Sequence, residues 1–522
     1  MSVSTKNISK KQVSINMLAN VVSYSANIII SFVLTPFLIN TLGKETYSFY
    51  PIANTIVMYM SVLTTAMNTM TSRFVTVSLV RNKDEEANKY FSSTLVANLA
   101  LSGFLMVPMI FIVIFIDHFM EVPINSVAAI KGLYALVFSS AIVNISAGVF
   151  GIATFAKNRI DLRSIRELVT AVIRLTLFVI FYRFFVPSIV YVGIVTLIVA
   201  VVNILFQCFY TKMLMPEIRI RKSNVSLSHV KEIFSSSCWS AINSFGNILL
   251  TGMSMVLANM LYGSSAAGSY SIVNTVPQFI NGIIVMLVGV FYPIITYKYA
   301  QNDKEGLIVE IKNAQSMIGI MACSIISVFT ALASDFFSLW TPGEDVNYLS
   351  LLSFVTIMPH FIIGCMWSLT NMNVVMNKVR IPAIYTLCSG LANVIIATLV
   401  YKIWSPGLLS LPIISSSLQI IWIGGFIPLY VCKNLKVKWN TFYLAPFKAV
   451  ICSTIVIMTI TKIKRLFMLD NWICFLGFGF VCGIFTIAFF AIYMIGINKI
   501  KTLLIIAVNN FCRLVNKKRI KE

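Results

Sequence analysis

Long apolar stretches recur from one end of the chain to the other, each closed by a short break of charged or turn-forming residues. A helix needs roughly 20 mostly apolar residues to cross the hydrocarbon core of a bilayer. Reading the stretches between breaks predicts helices over 14–40, 48–78, 91–116, 127–155, 164–184 and 187–210. Past a polar link at 211–230, more follow over 233–258, 266–297, 313–334, 346–376, 381–403 and 406–430, and a last pair over 441–461 and 471–495. The first stretch is too long for a signal-peptide core and lacks a small-residue cleavage site, so it reads as a retained helix. The pattern therefore predicts an all-α integral membrane protein of about fourteen transmembrane helices.

Composition strengthens that picture. The chain is 58% hydrophobic and 11% charged, where a soluble globular chain carries about 25% charged residues. Too few polar groups remain to cover a water-facing surface. The formal charge of +22 does not point to nucleic acid, because no soluble segment is long enough for such a domain. The basic residues sit in short loops instead, where they orient helices. With the N-terminus inside, thirty Lys and Arg fall on the cytoplasmic side and seven outside, which places both termini in the cytoplasm. Lys462, Lys464 and Arg465 are the exception, because this assignment puts them outside. The ten cysteines are scattered through apolar runs without a CxxC pair and read as small hydrophobes.

The chain also repeats itself. A shift of 220 residues aligns Asn27 with Asn247, Gly43 with Gly263, Tyr50 with Tyr270, Asn54 with Asn274, Thr76 with Thr296 and Asn82 with Asn302. A shift of 219 aligns Asn158-Arg159-Ile160 with Asn377-Lys378-Val379. Six spans per half is an even number, so the halves share one orientation and form a parallel repeat. The expected organisation is a six-helix lobe at 1–215, a second at 216–435, a helix pair at 436–497 and a basic cytoplasmic, lipid-attracted tail at 498–522.

Polar groups inside the spans carry the candidate chemistry. Asn16, Asn20, Ser23, Asn27 and Ser31 form a stripe on the first helix. The repeat places Ser236, Ser240, Asn243, Asn247 and Thr251 at the same offsets in the seventh. The second helix adds Asn54, Ser61, Thr65, Asn68 and Ser72, and Asn274 is the repeat partner of Asn54. Two readings fit such stripes: hydrogen-bonding between packed helices, or the walls of a hydrated cavity. The fifth helix is rarer in kind. Arg163, Glu167 and Arg174 share one face with Arg166 beside it, and charge inside a membrane normally faces a bundle interior or a water-filled path. Arg73 extends this group from the second helix. Guanidinium groups suit phosphate oxygens, so an anionic substrate is expected. His360 fits either a packing role or a proton or substrate contact.

The segment Leu42-Gly43-Lys-Glu-Thr-Tyr47-Ser48-Phe-Tyr50-Pro-Ile-Ala-Asn54-Thr55, echoed by Tyr262-Gly263 through Gly268-Ser-Tyr270 to Asn274-Thr275, carries a family resemblance. The chain resembles, over essentially its whole length, the polysaccharide-transporter branch of the multidrug/oligosaccharidyl-lipid/polysaccharide exporter superfamily. These are the bacterial flippases for O-antigen, capsule and related repeat units. One departure is Ser48, where the family usually has Gly. The resemblance implies a two-lobed, alternating-access carrier of the bacterial cytoplasmic membrane. Its substrate would be an undecaprenyl-pyrophosphate-linked oligosaccharide moved from the inner to the outer leaflet. It further implies a monomer among membrane lipids, with a polysaccharide polymerase and other assembly proteins as partners. No cofactor is implied, and Na+ or H+ are the candidate coupling ions. The alternative within the superfamily is a multidrug or metabolite cation antiporter. An enzyme is not expected, since neither a carboxylate dyad nor a metal cluster appears.

Overall fold

The computed structural model describes residues 10–496; the basic tail expected at 498–522 lies outside the described residues. Fourteen helices follow one another, joined by short turns. They are α1 (Lys10–Leu42), α2 (Lys44–Val80), α3 (Asp84–Phe119), α4 (Ile124–Ala156, passing through a 3-10 turn at Gly148–Gly151), α5 (Ile160–Phe184) and α6 (Val190–Leu214). Next come α7 (227–262) and α8 (264–300), a continuous run divided by the non-helical Gly263. The rest are α9 (Lys304–Trp340), α10 (Val346–Val375), α11 (Arg380–Trp404), α12 (Ser410–Leu435, with a π-helical stretch at Ile420–Phe426), α13 (Leu444–Ile463) and α14 (Trp472–Ile495). The fourteen-helix expectation holds.

Two of the fourteen, α2 and α5, are not apolar enough to register as membrane spans by hydropathy. The reason is chemical. α2 carries a run of Ser, Thr and Asn, and α5 holds five charged side chains between Asp161 and Arg174. Helices this polar between apolar neighbours need a polar surface to face.

The duplication is written into the backbone. Gly43 and Gly263 both adopt positive φ, 80° and 89°, where α1 turns into α2 and α7 into α8. Asn82, Asn158, Asn302 and Asn377 are left-handed, with φ of 55°, 52°, 56° and 54°. Asn visits this region more readily than other side-chain-bearing residues. Each follows a helix C-terminus and closes it in one way: the next residue's N–H reaches the carbonyl five residues back. The pairs are Lys83 to Ser78, Arg159 to Thr154, Asp303 to Lys298 and Lys378 to Asn373. That is the Schellman closure, occurring twice in each half at the same register.

Packing does not follow the repeat. One compact unit runs up to Ile272 and includes Ala383–Leu411; the other holds Val273–Pro382 and the chain from Pro412. The boundary expected at 215/216 therefore does not divide the packing. α7 packs on α2 and α3, and α11 crosses α7 through two glycines. A Cβ on Gly246 would sit 2.5 Å from the Leu387 backbone nitrogen, and one on Gly390 would sit 2.5 Å from the Gly246 carbonyl oxygen. Small residues permit such close helix approach where no hydrophobic driving force operates. Nor do α13 and α14 stand apart as a separate pair, because both pack along α9.

The basic ends of the helices converge within each unit. Lys157 Nζ is 2.6 Å from Glu217 Oε1, and Asn88 Nδ2 donates to the Glu217 carbonyl at 3.1 Å. In the other unit Lys304 Nζ donates to the Lys436 carbonyl and Lys378 Nζ to Asn434 Oδ1. At the opposite end Lys464 Nζ lies 2.7 Å from Asp335 Oδ2 and 3.0 Å from Ser334 Oγ. The basic cluster that violates the charge asymmetry is thus partly neutralised by its neighbour.

Candidate functional site

α1, α2, α4, α5 and α6 surround two adjoining cavities in the first unit, of about 540 and about 890 Å³. Both are lined by Asn20, Asn144, Arg163, Arg166 and Gln207, so they form one continuous polar space. The α5 helix supplies the charge: Arg163, Arg166, Glu167 and Arg174 all line the smaller cavity, as their shared helical face predicts. Asn27 joins them from α1, while Asn54 and Asn68 line the larger cavity from α2.

The four charges are not equivalent. Glu167 is engaged twice: Arg163 Nε donates to Oε1 at 2.9 Å and Ser23 Oγ to Oε2 at 3.0 Å. Arg163 is largely exposed. Arg166 is 9% exposed, yet its Nε has no hydrogen-bond partner. Arg174 is half-buried and, like Arg166, forms no ion pair among the described residues. Three guanidinium groups against one carboxylate leave the cavity cationic. An unsatisfied buried guanidinium N–H is costly, and an anion within reach would relieve that cost.

The first-helix stripe divides between both roles anticipated for it. Asn16 is buried and is glue: it accepts from the Asp161 N–H and donates to the Asn158 carbonyl. Ser23 bonds Glu167, while Asn20 and Asn27 face the cavity. Asn68 accepts from Asn98 Nδ2 at 3.0 Å as well as lining the larger cavity.

Other expected residues lie elsewhere. Arg73 is exposed near the end of α2 and lines neither cavity. Asn243 and Asn247 are exposed on α7 and also lie outside both; Thr386 donates to Asn243 Oδ1 across the α7–α11 crossing. Asn274 is half-buried in the second unit and is not among the residues lining either cavity. The mirror-image stripe of the second half is therefore not part of these walls. His360 is buried between the Ile357 carbonyl and Asn281 Oδ1, a packing position.

Several cavity residues escape sequence reasoning: Asn144 on α4, and Asn203 and Gln207 on α6. The i, i+4 spacing of the last two within an apolar helix is the signal that points to them. Ser48, where the resemblance expects glycine, is buried and back-bonds to the Glu45 carbonyl at 2.7 Å. Its counterpart does need to be glycine. A Cβ on Gly268 would lie 2.8 Å from the Lys44 carbonyl oxygen.

A family model described as "Polysaccharide biosynthesis protein" matches residues 11–298. The uncharacterized membrane protein EpsK of Bacillus subtilis (strain 168) is 27% identical over 494 residues, covering 92% of this chain and 95% of the relative. Among solved structures, the lipid II flippase MurJ in an inward closed conformation superimposes with a TM-score of 0.63 at 14% identity. That match covers 91% of this chain and 98% of the other. An inward-facing multidrug resistance transporter of the MATE family, of the MOP superfamily, gives 0.63 at 14% identity over 81% of this chain and 97% of its own. At such identities the two structures establish the fold alone, a multi-helix membrane architecture.

Proposed function

The chain belongs to the polysaccharide biosynthesis protein family, and on that premise we propose that it is an alternating-access flippase for an undecaprenyl-pyrophosphate-linked oligosaccharide. It would move this substrate from the inner to the outer leaflet of the bacterial cytoplasmic membrane during synthesis of a surface polysaccharide such as O-antigen or capsule. Both termini would face the cytoplasm, and a polymerase would receive the product outside.

The observation that carries the reading is the cavity's charge: Arg166 and Arg174 line it without an ion-pair partner among the described residues, amid amides and hydroxyls. A diphosphate offers several acceptor oxygens to guanidinium donors, and sugars offer hydroxyls to Asn and Gln. Neither group crosses hydrocarbon unaided. A cation antiporter needs the reverse polarity. Here the one cavity carboxylate, Glu167, is already held by Arg163 and Ser23. The coupling ion, Na+ or H+, is left open by this reading.

The test is genetic and chemical. Deleting the gene should abolish surface polysaccharide and leave the lipid-linked repeat unit accumulated on the cytoplasmic face, and restoring the intact gene should reverse both. Unchanged surface polysaccharide with altered resistance to cationic drugs would favour the antiporter.

A further inference from the structure

A second polar cavity lies in the other unit, at the basic end of the helices. It is about 830 Å³, bounded by α9, the link from α12 to α13, and the last turn of α14. Lys312 enters from α9 and Lys448 from α13, and among the described residues no carboxylate lines it. Lys448 Nζ stands 5.7 Å from the centre of the Tyr493 ring, and neither lysine forms an ion pair among the described residues. Gln315 belongs to the same wall and is fully buried. Its Nε2 donates to the Phe442 carbonyl at 3.1 Å, while its Oε1 has no partner. The rim is apolar: Leu444 and Phe447 line the cavity and are 65% and 67% exposed. In a membrane protein such side chains face lipid.

Two unpaired ammonium groups, an acceptor in want of a donor and a greasy rim describe one kind of occupant. We propose that this cavity binds an anionic phospholipid whose headgroup carries a hydroxyl, of the phosphatidylglycerol class. The phosphate lies between Lys312 and Lys448. A headgroup hydroxyl donates to Gln315 Oε1, and the acyl chains leave over Leu444 and Phe447. Basic pockets between helices at the cytoplasmic face recognise acidic headgroups in this way. The assignment is independent of the transport reading, since it shares no residue with the arginine cavity.

Native mass spectrometry of the full-length protein, released from nanodiscs of mixed phosphatidylethanolamine and phosphatidylglycerol, tests it. The wild type should retain one phosphatidylglycerol. Lys312→Ala with Lys448→Ala should retain it roughly thirtyfold more weakly, from the worth of two interfacial lysines. Arg219→Ala with Arg221→Ala removes equal charge from an exposed loop of the other unit and should change nothing. Phosphatidylmethanol, equal in charge without the hydroxyls, should bind more weakly than phosphatidylglycerol to the wild type, and soluble glycerol phosphate should fail to displace the lipid. Equal retention by the lysine variant overturns the site. Indifference to the hydroxyls overturns the role of Gln315, and displacement by glycerol phosphate overturns the lipid as occupant.

Discussion

At the scale of single residues, depth along α5 decides what each charge does. Arg163 sits near the helix start, is solvated, and is tied to Glu167. Arg174 is about three turns further in and forms no ion pair among the described residues, so its charge is available to a ligand. Arg174→Ala should therefore lower surface polysaccharide roughly tenfold or more, with unchanged protein in the membrane fraction. Arg174→Lys should keep part of the activity, since the charge stays while the bidentate geometry is lost. Normal export by the alanine variant removes Arg174 from the account. This cluster was legible in the sequence because charge in a span is rare enough to stand out. Asn144, Asn203 and Gln207 were not, because one amide in an apolar helix looks the same whether it packs or lines a cavity. The stripe of Asn243 and Asn247 left its role open for the converse reason. Its periodicity fixes a helix face but not what that face meets.

At the scale of elements, the turns and crossings are the parts most tightly specified. The four left-handed asparagines are a residue-level signature of the repeat that hydropathy alone misses. Asn82→Gly should be nearly neutral, whereas Asn82→Val should lower stability by about 1–3 kcal/mol, read as the melting temperature in detergent. Equal effects would mean that the left-handed turn is not under constraint. The α7–α11 crossing makes a second case. Gly246→Ala places a methyl group against the Leu387 backbone, and overpacking of this kind costs about 1–3 kcal/mol. A variant melting with the wild type would mean that the helices separate freely. The helix count could be read from sequence because every apolar run is closed by a turn. The packing partners could not. That α7 and α11 join the first unit depends on contacts between residues over a hundred positions apart.

At the scale of the whole molecule, charge asymmetry makes an orientation testable. Ser265→Cys, exposed beyond the α7–α8 turn, should react with an impermeant thiol reagent on intact cells, and Arg219→Cys should not. Labelling of the latter would invert the topology. Motion is the next requirement. The Lys44 side chain lies against Gly268, one turn along α8 from Ser264, so the equivalent turns of the two repeats meet. Alternating access demands that they part in every cycle. The most direct measurement of the central claim uses purified protein in vesicles containing a fluorescent polyprenyl-pyrophosphate oligosaccharide, with the headgroup on the far leaflet scored by a membrane-impermeant glycosidase. Wild-type protein should make the protected fraction accessible. Lys44→Cys with Ser264→Cys, in a background lacking the ten native cysteines, should stop doing so when oxidised and resume on reduction. Arg166→Gln with Arg174→Gln should stay inactive throughout. Accessibility that does not depend on those two arginines, or that continues with the outer turns locked together, would contradict the account.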